Sequence, residues 1–260
     1  TDGEIIKKIT HYLDNPHKLE TLRQRGLTWS KQYTQEHYAS RLVDQILDNI
    51  KHKKSLKLFI QAEDLTLIKE KWICDILRDE LSEYSTGLTI VKNVNDSDII
   101  WLLAPWCKRK LNQMVLNSKF VITTIHHIDW DKYDAYKDYY KQLDAVTNRY
   151  HVICKKTYDS LRKITNKKIV TKNFWINNNN FYLIENKRIL KNIYKIPSDH
   201  YIIGSFQKDT EGSDNTKPKL SKGPDIFIKI VEDMKNMGKK PFIILTGWRR
   251  TYIIISIIKS

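Results

Sequence analysis

At 260 residues the chain can hold one large domain or two of ordinary size, and 41% apolar residues with seven tryptophans and fourteen tyrosines exclude a disordered chain. No run approaches the roughly 20 apolar residues of a membrane-spanning helix, and no charged-then-apolar leader is read at the start. The net charge of +15 raises nucleic-acid binding, but lysine, asparagine and isoleucine are abundant together, as an AT-rich genome gives. The lysines are also dispersed along the chain, so the charge reads as mostly solvated surface.

Cys74, Cys107 and Cys154 are odd in number and scattered. They form neither a disulfide framework nor a metal-ligand spacing, which fits a reducing compartment and a cytoplasmic location.

In chain order, Gly3 to Leu47 reads as helical. Ile5, Ile6, Ile9 and Leu13 recur at helical spacing, Asn15-Pro16 breaks the run, and Thr34 can cap a third helix whose apolar face carries Tyr38, Leu42, Val43, Ile46 and Leu47. The basic run Lys51 to Lys54 reads as a linker. From Leu56 the pattern changes to strands alternating with helices. Strands are expected at Leu56–Ile60, Leu88–Val91, Asp98–Ala104, Phe120–Ile125, Arg149–Ile153 and Lys168–Thr171. Helices are expected at Leu67–Leu81, Lys108–Leu116, Tyr133–Leu143 and Thr157–Ile164. That alternation predicts a mostly parallel sheet covered on both faces, an α/β, Rossmann-like domain.

The four asparagines Asn177 to Asn180 mark a boundary. After a helix near Leu183–Tyr194, a second βα series begins with the strand Tyr201–Ile203. It ends at Gly204 and opens into a polar loop carrying Lys208, Lys217, Lys219 and Lys222. The loop closes on Lys222-Gly223-Pro224 before an amphipathic helix, and a second strand follows at Phe242–Leu245. A strand, a basic glycine-bearing loop and a helix form an anion-binding arrangement, because helix-start N–H groups and a lysine face the same ligand.

Four segments together carry a resemblance: TTIHHID (Thr123 to Asp129), KNFWINNNNF (Lys172 to Phe181), IGSFQKDTEG with KLSKGPD (Ile203 to Asp225), and LTGWRR (Leu245 to Arg250). Their order and spacing resemble retaining glycosyltransferases of the GT-B fold, family 4 type. The resemblance implies two Rossmann-like halves facing a cleft, an acceptor bound by the first and a nucleotide-sugar by the second. It implies that His126 lines the reaction centre, and that Asn173 to Asn177 is the crossing segment between halves. It places Gly204, Lys208, Lys222 and Gly223 at the donor diphosphate. No cofactor beyond the nucleotide-sugar and no bound metal is implied. The acceptor is a hydroxyl group of a glycan, protein or lipid, with no specific nucleic acid and no membrane span involved.

The chain departs from the family in two places. Gln61-Ala62-Glu63-Asp64 lacks the glycines of the usual first turn. The paired-glutamate region that should contact the donor sugar is absent, and the apolar segment Thr251 to Ser260 does not continue the pattern. The division expected from sequence is therefore 1–50, resembling the closing helices of a preceding transferase domain; 51–55, a linker; 56–180, the acceptor-side domain; and 181–260, the start of a truncated donor domain. The expected activity of such a fragment alone is little or none. Two further readings stay open: a basic nucleic-acid-binding protein and a non-catalytic assembly module. Glu63, Asp64, Asp129 and Asp131 support no acid/base pair, since spacing alone does not place two carboxylates across one bond. The aromatic residues between Trp130 and Tyr140 read as packing at partly helical spacing.

Overall fold

A computed structural model describes residues 2–47, 56–62, 73–84, 88–182, 184, 187–211, 217–247 and 249–259. The basic linker 51–55, Glu63 and Asp64, and the start of the helix expected from Leu67 lie outside these residues. The chain contains α1 (Asp2–Asp14), α2 (Pro16–Ser30), α3 (Gln35–Ile46), β1 (Lys57–Gln61), α4 (Ile73–Tyr84), β2 (Thr89–Ile90), β3 (Ile99–Leu102), α5 (Gln113–Ser118) and β4 (Phe120–Ile125). It continues through α6 (Tyr133–Val146), β5 (Arg149–Val152), α7 (Lys155–Arg162), β6 (Lys168–Thr171), α8 (Lys187–Ile193), β7 (Tyr201–Ser205), α9 (Pro224–Asn236), β8 (Pro241–Leu245) and α10 (Thr251–Lys259). These elements divide into two compact units: Gln24–Tyr182, and a discontinuous unit made of Thr1–Arg23 with Leu183–Ser260. The helical segment drawn at 1–50 is thus shared between them.

The unit 24–182 is built on a six-stranded parallel sheet in the order β2-β1-β3-β4-β5-β6. Its strands are short and rich in β-branched residues, and β3 and β5 are buried along their whole length. Such two-sided burial accounts for their near-continuous apolar runs. The architecture is Rossmann-like, as the alternation of strands and helices predicts. The core joins Leu58, Ile60, Ile100, Trp101, Leu102, Ile122 and Val152 of the sheet with Leu42, Val43 and Ile46 of α3 and Leu77 and Leu81 of α4.

Polar residues inside this core are paired. In β5, the Arg149 guanidinium donates to the carbonyl of Ile46 at the end of α3 and lies 5.6 Å from the centre of the Phe120 ring. A cation at a helix C-terminus meets the negative end of the helix dipole. The segment after β6 is tied back to the one before α3: Ile176 N–H donates to the Tyr33 carbonyl at 2.7 Å, and Asn178 N–H to Gln35 Oε1 at 2.9 Å. Glu80, a mostly buried carboxylate of α4, accepts from Trp175 Nε1 at 2.6 Å and Asn177 Nδ2 at 2.5 Å. Those bonds fix the segment that the sequence reads as a crossing.

The helix expected over Lys108–Leu116 is replaced by a 3₁₀ turn, Pro105–Lys110, followed by the short α5. Asn112 accounts for the break, since its side chain accepts from Met114 N at 2.8 Å and starts a new helix there.

The other unit holds a two-stranded parallel sheet, β7-β8, linked through α9. Gly223 adopts φ +65°, a left-handed conformation that glycine tolerates, at the N-cap of α9, and Pro224 opens the helix. The core here is small: Phe227 and Val231 of α9 with Ile253 of α10. The sequence reads 251–260 only as an apolar segment off the family pattern, and the structure makes a helix, α10, of it. The cap comes from far away: Asp209 Oδ2 accepts from Ile253 N–H at 2.9 Å. The first helix belongs to this unit as well. Asp14 of α1 pairs with Lys239 at 2.9 Å, and Thr10 lies 3.8 Å from the Met237 sulfur.

Candidate functional site

Two places in the fold gather chemistry, one in each unit. The first stands at the carboxyl end of the parallel sheet, where open α/β sheets present their ligands. His126 follows β4 directly. Its Nε2 lies 2.8 Å from the Leu103 carbonyl just past β3. A carbonyl only accepts, so Nε2 carries the proton and Nδ1 keeps the lone pair. Burial pushes the imidazole below the usual histidine range, outweighing the bond to Leu103, and His127 lowers it further. His126 is therefore neutral at pH 7. Trp106 stacks on one side at 6.5 Å between ring centres and Phe174, from the crossing segment, at 6.0 Å. The His126 carbonyl accepts from the Thr157 hydroxyl at 3.0 Å.

Behind His126 lies a buried relay that the sequence reading missed. Trp101 Nε1 donates to Thr124 Oγ1 at 2.9 Å, and Thr124 stands 3.0 Å from His151 Nδ1. His151 Nε2 lies 2.8 Å from the Lys172 carbonyl, which fixes its proton on Nε2 and makes Nδ1 the acceptor from Thr124. His151 is fully buried, and burial above all pushes its imidazole down to about 4. The signal available in sequence was a histidine and an arginine in a strand, RYHV, whose neighbours are all core.

His126 opens onto a cavity of about 460 Å³. One wall is Trp106 and Arg109 from the 3₁₀ turn, and the other is a tyrosine stripe of α6, Tyr133, Tyr136, Tyr139 and Tyr140. The tyrosines expected as packing do pack in part: Tyr139 and Tyr140 lean on the core while also lining the cavity. Among the described residues, the Tyr139 hydroxyl is buried with no hydrogen-bond partner. Burial, with Tyr140 and Cys107 adding, pushes that phenol up to about 12, so it is a neutral donor at any ordinary pH. Asp129 and His127 stand at the cavity's edge, and Asp129 pairs with Lys132 at 3.5 Å.

The second place is the loop after β7. Gly204 lies within the strand, paired in register with Ile244, and a Cβ there would stand 2.5 Å from the Phe206 ring. The loop is closed at its base by Gln207 Nε2 donating to the Lys222 carbonyl at 2.8 Å, by Asp209 N–H donating to Arg249 at 3.1 Å, and by Lys219 N–H donating to Asp209 at 2.7 Å. These bonds bring positive charges together. Lys208 is held below the usual lysine range by burial first, then by Arg249 and Lys219, with Glu211 opposing. Arg249 adopts φ +62°, a backbone conformation uncommon outside glycine. The side chain of Lys222 is exposed at the end of the turn that leads into α9, and Gly223 follows as its left-handed cap. Arg250 is buried rather than solvated: its Nε donates to the Thr246 carbonyl at 2.6 Å, linking it to the end of β8. The middle of the loop, 212–216, lies outside the described residues.

Of the sequence-derived residues, His126 thus lies in the first place, with Gly204, Lys208, Lys222 and Gly223 in the second. Trp106, Arg109, Tyr139 and Arg249 are added by the structure. Among the described residues no group of histidine, cysteine and carboxylate side chains has metal-binding geometry, and no helix is long and apolar enough to cross a membrane. Comparison with protein-family models and with curated proteins finds no match for the chain.

Proposed function

We propose that the chain works in sugar transfer, as part of a retaining glycosyltransferase of GT-B type that moves a sugar from a nucleotide-sugar to a hydroxyl acceptor. The observation that carries the reading is the gathering of Lys208, Lys219 and Arg249 beyond the carboxyl ends of β7 and β8, where backbone bonds from Asp209 N–H to the Arg249 carbonyl (3.1 Å) and from Lys219 N–H to the Asp209 carbonyl (2.7 Å) bring the three segments together. Gathered cations repel one another, and an anion between them removes that cost. A nucleoside diphosphate has that charge and size. In transfer, the acceptor's hydroxyl oxygen bonds to the sugar's anomeric carbon as the bond from that carbon to the diphosphate oxygen breaks; negative charge grows on the departing diphosphate, which takes up the hydroxyl proton. Fixed cations, together with the N-terminus of α9, stabilise that charge as it forms. Lys208 and Lys222 have this role, and Gly204 and Gly223 let the backbone run close to the phosphates.

His126 belongs to the acceptor side. A neutral imidazole with its lone pair on Nδ1 can accept a hydrogen bond from an acceptor hydroxyl and so orient it. The order of the motifs TTIHHID, NFWIN and LSKGPD supports the same assignment, and retention of configuration rests on that resemblance.

Calorimetric titration of the 260-residue chain with UDP and GDP tests the reading. One of the two should bind, and Lys208→Gln should weaken it about tenfold, the loss of one charge-assisted contact. A folded chain that binds neither nucleotide, or binds with unchanged affinity after Lys208→Gln and Lys222→Gln together, overturns it.

A further inference from the structure

The loop after β7 that gathers the cations also holds a carboxylate. Asp209 is 1% exposed and stands between Lys208 and Thr210 in the chain. As a direct contact it would repel an anion, so its place there calls for another reason. A divalent cation does not supply one, because the charged neighbours of the carboxylate include Lys208 and Arg250. Its bonds do. Asp209 N–H donates to the Arg249 carbonyl at 3.1 Å, its carbonyl accepts from Lys219 N–H at 2.7 Å, and its Oδ2 accepts from Ile253 N–H at 2.9 Å. Lys208, Lys219 and Arg249 are each beside Asp209 in the chain or bonded to its backbone.

The third of these bonds belongs to the side chain. Together with the first it grips both ends of the turn 249–253, which leads from β8 into α10. Inside that turn Arg249 holds φ +62°, a conformation that costs free energy for a residue with a Cβ and persists where the surroundings fix it. The carboxylate meets the positive end of α10 and attracts the buried guanidinium of Arg250. Its other oxygen, Oδ1, is buried with no hydrogen-bond partner among the described residues. We propose that Asp209 is the positioning residue of the anion site: through Oδ2 it caps α10 and holds the Arg249 turn against the loop that carries Lys208 and Lys219. The cap couples the two, so a bound anion orders the start of α10. This inference rests on reading the loop as a diphosphate site.

Calorimetric titration of the 260-residue chain with UDP, GDP and inorganic pyrophosphate tests it, because charge and positioning predict different signs. Were Asp209 only a nearby negative charge, any neutral replacement would tighten binding. A positioning role predicts that Asp209→Asn, whose amide oxygen still accepts from Ile253 N–H, binds within about twofold of the parent or tighter. Asp209→Glu keeps the charge but adds a methylene that displaces the acceptor, and should bind about tenfold more weakly. Asp209→Ala, with no acceptor, should lose as much. Hydrogen exchange gives the second readout: the probe that binds should slow the Ile253 and Ile254 amides in the parent and in Asp209→Asn, and leave them unslowed in Asp209→Glu.

Circular dichroism checks each variant's fold, and should Asp209→Ala not fold, the Asn and Glu pair decides. Unchanged or tighter binding by Asp209→Glu overturns the inference. So does a loss of about tenfold in Asp209→Asn, since binding then needs the charge and not the cap. If nucleotides bind and the variants depart from this pattern, the transferase reading stands and the role of Asp209 falls. If pyrophosphate alone binds and the variants follow the pattern, the positioning role stands and the transferase reading falls. Absence of binding by all three probes overturns both.

Discussion

The two units spend their residues differently. In 24–182 the sheet has six strands, every internal polar side chain of β5 is paired, and helices α3 and α4 complete a continuous core. In the other unit, among the described residues, two strands with α9 and α10 support a small core of Phe227, Val231 and Ile253, and the charged loop after β7 is held mainly by backbone bonds at its base. The first is a scaffold that places His126 and a cavity wall to within a side chain. The second gathers like charges on a slender frame, where a bound anion has most to contribute to order. A densely packed sheet and a loop tied at its base are different ways of placing side chains, and this chain has one of each.

The sharpest way to break that contrast is to cut into the larger core from its least expected side. Leu42 comes from α3, far in sequence from the strands it packs on, and is fully buried. Leu42→Ala should cost about 2–5 kcal/mol in urea-induced unfolding, the usual range for a buried leucine. A loss below 0.5 kcal/mol, the ordinary size of a surface change, would mean that α3 is not part of that core.

Acid should act next. His151 is neutral in the folded chain with its imidazole lowered to about 4, while in the unfolded chain it titrates near the ordinary 6.5. The unfolded state therefore binds more protons between these values. The contribution is fully present above 6.5 and is lost as pH falls through about 4; across that window it amounts to about 3 kcal/mol. His126 is shifted in the same direction and adds to the slope. His151→Gln, whose amide can still donate to the Lys172 carbonyl and accept from Thr124, should flatten the pH dependence of the unfolding midpoint. An unchanged slope would sink this account.

The smallest effect belongs to the slender unit. Gly223→Ala forces a side chain into a left-handed cap and should cost about 1–2 kcal/mol, read by hydrogen exchange in α9. If α9 exchanges as before, the cap does not set the start of that helix.

Much of the fold was legible because its signals are local. The β-branched run Phe120–Ile125 and the turn at Lys222-Gly223-Pro224 declare a buried strand and a helix start within a few residues. What escaped depends on partners far away in the chain. α10 needs the Asp209 carboxylate to cap it. The Thr124–His151 relay exists only because β4 and β5 are neighbours in register. The tyrosines of α6 were visible at helical spacing, but helical spacing does not separate a stripe that fills a core from one that lines a cavity. Trp106 and Arg109 were hidden for another reason: a lysine-rich stretch after Pro105 reads as a surface helix, and the 3₁₀ turn that sets them in the wall of the cavity beside His126 leaves no periodic trace.

The pairing of α1 with the chain's last hundred residues has a consequence for synthesis. Asp14 must wait for Lys239, 225 residues later, an interval of roughly 10–45 s at the usual pace of translation. The stretch 24–182, by contrast, has both its edges joined by the Tyr33–Ile176 bond and is complete before α9 leaves the ribosome. Within this stretch the contacts therefore become available from the inside out: those of 24–182 come first, and α1 waits for the residues around Lys239.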